Sequence, residues 1–383
     1  MEIYIVKQGD TVDSISQNTG ISVEKLVFDN QIAYPYALAI GQALLILQEG
    51  EENGTGETVV NGYAYPFIEQ ELLEDTLPFL SEISIFSYGF NTQGYLIFPQ
   101  ISDERILIPA REAGVPAILT LTPFDENGNF NNNYIHILVN NEEVSDRLIN
   151  ELVFVMKQKG YEGLDVDFEF ILPEDRVPFA EFVRKMTEAM NANGFTVSVA
   201  LAPKTSSEQK GLLYEGKDYR LLGEAANSVL LMTYEWGYTY GPPMAVAPIP
   251  NVRAVLDYAI TEIPVEKISI GIPNYGYDWP LPYERGVTAA RTIGNMEAIQ
   301  IAITYNAVIQ YDETSKAPYF QYRDENSIEH EVWFEDVRSI LAKFELIKEY
   351  GFRGCGYWQL MRPFKANWLL LNQQFQIVRG GNR

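Results

Sequence analysis

The sequence holds one cysteine, Cys355, and two histidines, His136 and His330, in 383 residues. A lone thiol closes no disulfide within the chain and builds no thiolate metal cluster. Two imidazoles far apart in sequence leave no histidine-built zinc or iron site, so a metal-free chemistry is expected. Cations are scarce: Lys and Arg number 28 against 52 Asp and Glu, for a formal net charge of −24. Such a surface does not draw nucleic-acid phosphates or anionic lipids, whereas a neutral glycan is indifferent to it. No apolar run approaches membrane-spanning length. The start "MEIYIVKQGD" also lacks the cationic-then-apolar pattern of a cleavable export signal. The expectation is therefore no nucleic-acid partner, no membrane insertion and synthesis without a signal peptide.

Aromatics are plentiful, with 24 Tyr, 20 Phe and 5 Trp in a chain that is 46% hydrophobic. That is enough for a large core with rings left over for the surface. Residues 1–48 read as a separate head. "IYIV" alternates as a strand, and Asp10 or Thr11 caps a helix carrying Val12 and Ile15. Ser22 caps a second helix with Val23, Leu26 and Val27, and "IGQALLIL" closes the unit as a strand. So small a β-α-α-β unit is marginal on its own. "QEGEENGTGETV" is acidic and rich in glycine, and reads as a linker over 49–59.

From residue 60 onward strand and helix patterns alternate. Candidate strands cover 62–68, 82–90, 115–122, 162–170, 195–203, 228–236, 267–276 and 354–360, with helical patterns between and after them. Eight strand–helix units fit an α/β fold of the TIM-barrel type better than an open sheet. No phosphate-cradling glycine turn follows the first strand. The connection after the seventh strand is too long to lack structure, so 277–332 is expected to be a small α+β insertion over the top face, walling a cleft.

Within the fourth strand, "GLDVDFEF" puts Asp165, Asp167 and Glu169 on every second position, between Leu164, Val166, Phe168 and Phe170. Period two places the acids in one column facing the barrel axis, and the apolar residues face the surrounding helices. The first six candidate strands hold no Lys or Arg, which leaves no strand cation to pair with the column. Crowded carboxylates share protons, and at least one is held protonated, ready to act as an acid.

These residues carry a resemblance. "GLDVDFEF" resembles the Asp-x-x-Asp-x-Asp-x-Glu signature of family-18 glycoside hydrolases, with Glu162 in place of the first Asp. "LMTYEWG" at 231–237 is similar to the sixth-strand Met-x-Tyr-Asp segment, with Glu235 for Asp, and "GYWQL" at 356–360 to the eighth-strand segment that ends in a tryptophan. "YIVKQGDTVDSISQNTGISVEKLVFDNQI" resembles a LysM glycan-binding module. The combination resembles the bacterial spore and cell-wall members of the family, which act on peptidoglycan.

The resemblance implies a retaining, substrate-assisted hydrolase of bonds after N-acetylglucosamine, needing neither metal nor cofactor. It implies Glu169 as the general acid, Asp167 orienting the 2-acetamido group, Asp165 supporting it, and Tyr234 bonding nearby. Trp358 would form the sugar floor, with Met232, Glu235, Trp236 and Tyr275 as further substrate contacts. In the head it implies glycan contacts from Gly9, Asp10 and Thr11 and from Asn30, Gln31 and Ile32. It also implies a spore-associated protein. A chitinase-like enzyme and a non-catalytic glycan-binding coat protein remain open at this point.

Overall fold

The computed structural model describes residues 1–48, 50, 54–124 and 131–379. Part of the expected linker, residues 49 and 51–53, lies outside the described residues. The head consists of β1 (Glu2–Ile5), α1 (Val12–Thr19), α2 (Val23–Asp29) and β2 (Ala43–Ile46), with β1 and β2 antiparallel. Thr11 caps α1 by accepting from the Ser14 N–H, and Ser22 caps α2 through the Lys25 N–H. Val12, Ile15, Leu26 and Ile46 close a small core of their own.

The body runs β3 (Gly56–Ala64), α3 (Gln70–Thr76), β4 (Glu82–Phe90), β5 (Leu96–Ile97), α4 (Glu104–Glu112), β6 (Ala117–Leu121), α5 (Asn132–Val139), α6 (Glu142–Lys159) and β7 (Gly163–Val166). It continues with α7 (Arg176–Asn191), β8 (Thr196–Leu201), α8 (Tyr219–Ala225), β9 (Ser228–Leu231), α9 (Ile249–Glu262) and β10 (Ile268–Pro273). Strands β3, β4, β6, β7, β8, β9, β10 and β16 (Gly354–Trp358) pair in parallel in that order, and β16 returns to β3, closing an eight-stranded barrel. Helices cover its outside, so barrel strands read as near-continuous apolar runs; all five residues of β6 are buried. Phe168 shows the outward packing, stacking on Phe179 of α7 at 5.7 Å between ring centroids.

Between β10 and α11 (Val337–Tyr350) stand β11 (Gly276–Leu281), β12 (Arg291–Ile293), α10 (Asn295–Thr304), β13 (Gln310–Asp312), β14 (Ala317–Arg323) and β15 (Glu329–Trp333). These strands form an antiparallel sheet of order β12-β11-β15-β14-β13. The connection expected to need structure of its own therefore has it, and Tyr277 and Thr292 from it line the cleft described below. After β16 the chain ends in α12 (Lys365–Gln374) and β17 (Phe375–Ile377), which pairs with β3.

Three details differ from the sequence reading. β3 begins at Gly56, because β17 supplies a partner for residues counted as linker. The first, fourth, fifth, sixth, seventh and eighth barrel strands stop at Ala64, Val166, Leu201, Leu231, Pro273 and Trp358, two or more residues short of the expected ends, because the chain turns out of the ladder at the barrel rim. Helix α5 precedes α6 and was not legible in the periodicity.

The head is seated on the body. The Ile309 N–H donates to the Ile40 carbonyl at 2.8 Å, and the Lys365 N–H donates to the Gln31 side chain at 2.7 Å. Gly41 has φ of +84°, and a Cβ there would lie 1.8 Å from the Ile309 carbonyl oxygen, so only glycine permits this approach. Leu45 and Leu47 belong to the same buried cluster as the barrel. The marginal core of the head is thus completed by the body.

Candidate active site

β7 pairs with β6 and β8 as far as Val166, and the Asp167 N–H still donates to the Leu121 carbonyl at 3.0 Å. The strand alternation therefore extends through Asp167 even though the ladder has formally ended. Asp165 is fully buried on the barrel axis. The Tyr63 hydroxyl of β3 donates to it at 2.9 Å and the Ser198 hydroxyl of β8 at 2.6 Å. Burial pushes its carboxyl up to about 6, against the opposing pull of the Ser198 and Tyr63 hydrogen bonds.

Asp167 stands above it, 5% exposed, with Oδ1 making no hydrogen bond among the described residues. Burial, then the charges of Glu169 and Asp165, hold its carboxyl well above the usual range. Glu169 is half-buried at the cleft, and burial raises its carboxyl as well. Like charges in such contact share protons and titrate as a unit. Phe170 departs from its expected outward position and lines the cleft.

The acids open into a cleft of about 710 Å³ that also takes in Tyr234, Met232, Tyr275 and Trp358. Tyr234 sits just past β9, and Gly271 of β10 makes room for it: a Cβ on Gly271 would lie 2.5 Å from Tyr234 Cε1. Burial, followed by the neighbouring Asp167 charge, keeps the Tyr234 phenol protonated. Trp358, the last residue of β16, is held by Phe86, Tyr63 and Tyr65 at 5.0, 5.7 and 6.2 Å between ring centroids. Cis peptide bonds precede Ser87 and Gln359.

Glu235 adopts φ of +69°, uncommon for a residue with a side chain. It lies at the cleft mouth, where its carboxylate accepts from the Tyr275 hydroxyl and from the Tyr277 hydroxyl at 2.9 Å. The longer arm of Glu is thus fixed by two phenols, one of them from the insertion. Trp236 is not brought to the site; it packs against the core, and its backbone N–H donates to the Val246 carbonyl.

A closed (β/α)8 barrel with three acids climbing its fourth strand toward a cleft floored by tryptophan is matched along the chain. The model of "Glycosyl hydrolases family 18" matches residues 127–362, well over half of the sequence, and the LysM domain model matches residues 4–46. The chain belongs to glycosyl hydrolase family 18. Retaining hydrolysis of a β-1,4-linked, N-acetylglucosamine-containing glycan goes with that membership. This family-18 hydrolase is 41% identical to the cortical fragment-lytic enzyme of Bacillus subtilis (strain 168), over 99% of each chain. It superposes on the spore cortex-lytic enzyme SleL of Bacillus megaterium QM B1551 with a TM-score of 0.92 at 34% identity, covering 98% of each chain. A chitinase of Chromobacterium violaceum ATCC 12472 aligns with a TM-score of 0.76 at 25% identity over 83% of this chain.

The expected contacts of the family-18 hydrolase's LysM head fare unevenly. Asn30 is buried, donating to the Leu26 and Leu45 carbonyls and accepting the Leu45 N–H, and Ile32 lies in the head's core. Both side chains are committed to the fold. Gln31 is engaged by Lys365 of the body. On the other loop Gly9 is open, Asp10 accepts from the Tyr4 hydroxyl and the Lys7 N–H, and Thr11 caps α1.

Tyr63, Ser198 and Tyr277 were missed in the sequence, where nothing distinguishes them from other strand residues. Lys217 was also missed: it comes from the segment between β8 and α8, not from any strand, and it supplies the cation that the strands lack.

The cost of Asp165 is testable. Its ordinary value of 3.8 rises to about 6 in the folded protein. Between those values the folded chain keeps a proton that the unfolded chain releases, so stability falls as pH climbs through the window. Asp165→Asn keeps partners for Tyr63 and Ser198 and removes the charge. Denaturant unfolding is expected to show the variant more stable by on the order of 1–3 kcal/mol at pH 8, with the difference vanishing near pH 4.

Proposed function

We propose that this hydrolase is an N-acetylglucosaminidase of peptidoglycan, acting on spore cortex or its fragments and associated with the spore. The single observation that carries the reading is the acid column, with Asp167 and Glu169 lining the cleft above a hydroxyl-held Asp165. The family-18 membership and the likeness to cortex-lytic relatives over nearly the whole chain support the substrate class.

In this reading Glu169 protonates the glycosidic oxygen as the C1–O bond breaks. The substrate's own acetamide oxygen attacks C1 from the opposite side, and Asp167 receives the acetamide N–H and balances the cyclic cation. Glu169, now ionised, takes a proton from the water that reopens the ring, so configuration at C1 is retained. Tyr234, kept protonated by burial, donates to the acetamide. Trp358 presents its face to the apolar side of the sugar, and Glu235 and Met232 border the same subsite.

Reducing-end analysis of digested cortex glycan tests the assignment. N-acetylglucosamine at every new reducing end is expected, and muramic-acid ends would refute it. A chitinase-like preference would show as faster turnover of chitin oligomers than of cortex fragments of equal length.

A further inference from the structure

We infer that Lys217 is a positioning residue of the reaction: its wholly buried ammonium, which no hydrogen bond among the described residues satisfies, is the counter-charge of the Asp167–Glu169 pair. The inference rests on the reading of Glu169 as the acid and adds a residue to it.

Lys217 is wholly buried, and its Nζ makes no hydrogen bond among the described residues. A buried ammonium without a partner is costly and calls for a compensating charge. A second buried atom without a hydrogen bond among the described residues is Asp167 Oδ1, whose carboxyl feels the Lys217 charge. The backbone leaves Lys217 little freedom. Its carbonyl accepts from Lys204 Nζ at 2.7 Å, and its N–H donates to the Tyr214 carbonyl at 3.1 Å. The next residue, Asp218, caps α8 through the Leu221 N–H at 3.0 Å. The preceding Gly216 is pressed on the chain just past Glu169, where a Cβ would lie 2.1 Å from the Ile171 carbonyl oxygen. The segment is fastened at both ends, on α8 and on the chain that follows Glu169.

The groups surrounding the pair are unequal in sign. From β7 and the chain just past it come Asp165, Asp167 and Glu169, from beyond β9 come Tyr234 and Glu235, and from β3 and the chain just past it come Tyr63 and Tyr65. Lys204 faces the Lys217 carbonyl, and Lys217 is the cation acting on both acids. Burial and mutual repulsion both favour the protonated carboxyls, against the need for one anion to face a developing cation. One ammonium balances one carboxylate. With Lys217 charged, the three groups are together neutral when one acid keeps its proton and the other gives it up. That is the state in which one acid can donate a proton while the other bears charge.

Lys217→Met removes the charge with little change of volume, and replacing a buried charge by an apolar chain preserves folding or strengthens it. The pH profile of kcat/KM on a soluble oligomer is the readout. Loss of the cation raises both acids, so both limbs of the profile are expected to move to higher pH. Activity on the acid limb then drops about tenfold for each unit of displacement, and activity on the alkaline limb rises. KM is expected to stay within about threefold, and Lys217→Arg is expected to restore the original limbs. A profile lowered uniformly without displacement, or one left unmoved in a folded variant, overturns the role. Glu169→Gln measured alongside separates the two readings. If it is inactive while the Lys217→Met profile is unmoved, only the Lys217 role fails; if it turns over, both fail.

Discussion

Glu169→Gln is expected to abolish hydrolysis while leaving glycan binding intact. The amide keeps the size and planarity of the side chain and has no proton to transfer at either step. General acid–base catalysis contributes roughly 10²–10⁴-fold, and in the proposed mechanism one group serves in both directions, so the loss should reach the upper end of that range. The substitution also removes one of the two acids whose repulsion raises Asp167, so folding should not suffer. Turnover of a soluble oligomer and calorimetric binding to the same oligomer, measured on one preparation, test both halves. Residual kcat within tenfold of the parent would refute Glu169 as the acid. Lost binding would show instead that the carboxylate holds the ground-state sugar.

The second large effect is expected at Asp167. Asn in its place can still accept a hydrogen bond from the acetamide but carries no charge to balance the cation that forms as C1 departs from its leaving group. An interaction made mainly in the transition state lowers kcat and spares KM. Removing one such electrostatic partner costs on the order of 10²–10³-fold in kcat. Steady-state kinetics of Asp167→Asn should show that loss with KM changed by less than about threefold. A loss confined to KM would mean that Asp167 only binds. Asp165→Asn should be milder, because Asp165 is enclosed by Tyr63 and Ser198 and reaches substrate only through its neighbour.

The acid column was legible because strand geometry is periodic and carboxylates are costly to bury; both facts are local, and the "GLDVDFEF" text carries them. Glu162, the departure from the family signature, is exposed at the foot of the fourth strand, away from the column, so its identity does not touch the chemistry. The phenol and hydroxyl that hold Asp165 were not legible. Tyr63 is 102 residues away in the chain, and only barrel closure brings it across the axis. Lys217 escaped for a related reason: counting cations on strands says nothing of one delivered by a connection. In the head, turn residues that fold the module and turn residues that face outward have the same composition. Asn30 and Ile32 could be told from Gly9 only once burial was known.

The seating of the head on the body through Gly41, Gln31 and Leu45 bears on how a long polymer would be handled. A module swinging on a flexible tether raises the effective concentration of polymer and lets the catalytic cleft sample many bonds around one anchor point. A module held fast works as a caliper. Any strand gripped by the exposed side of the head meets the cleft at one fixed offset and direction, so successive cuts along an anchored strand would be spaced by the protein's own dimensions. Gripping and cutting would also advance together, since neither can move without the other.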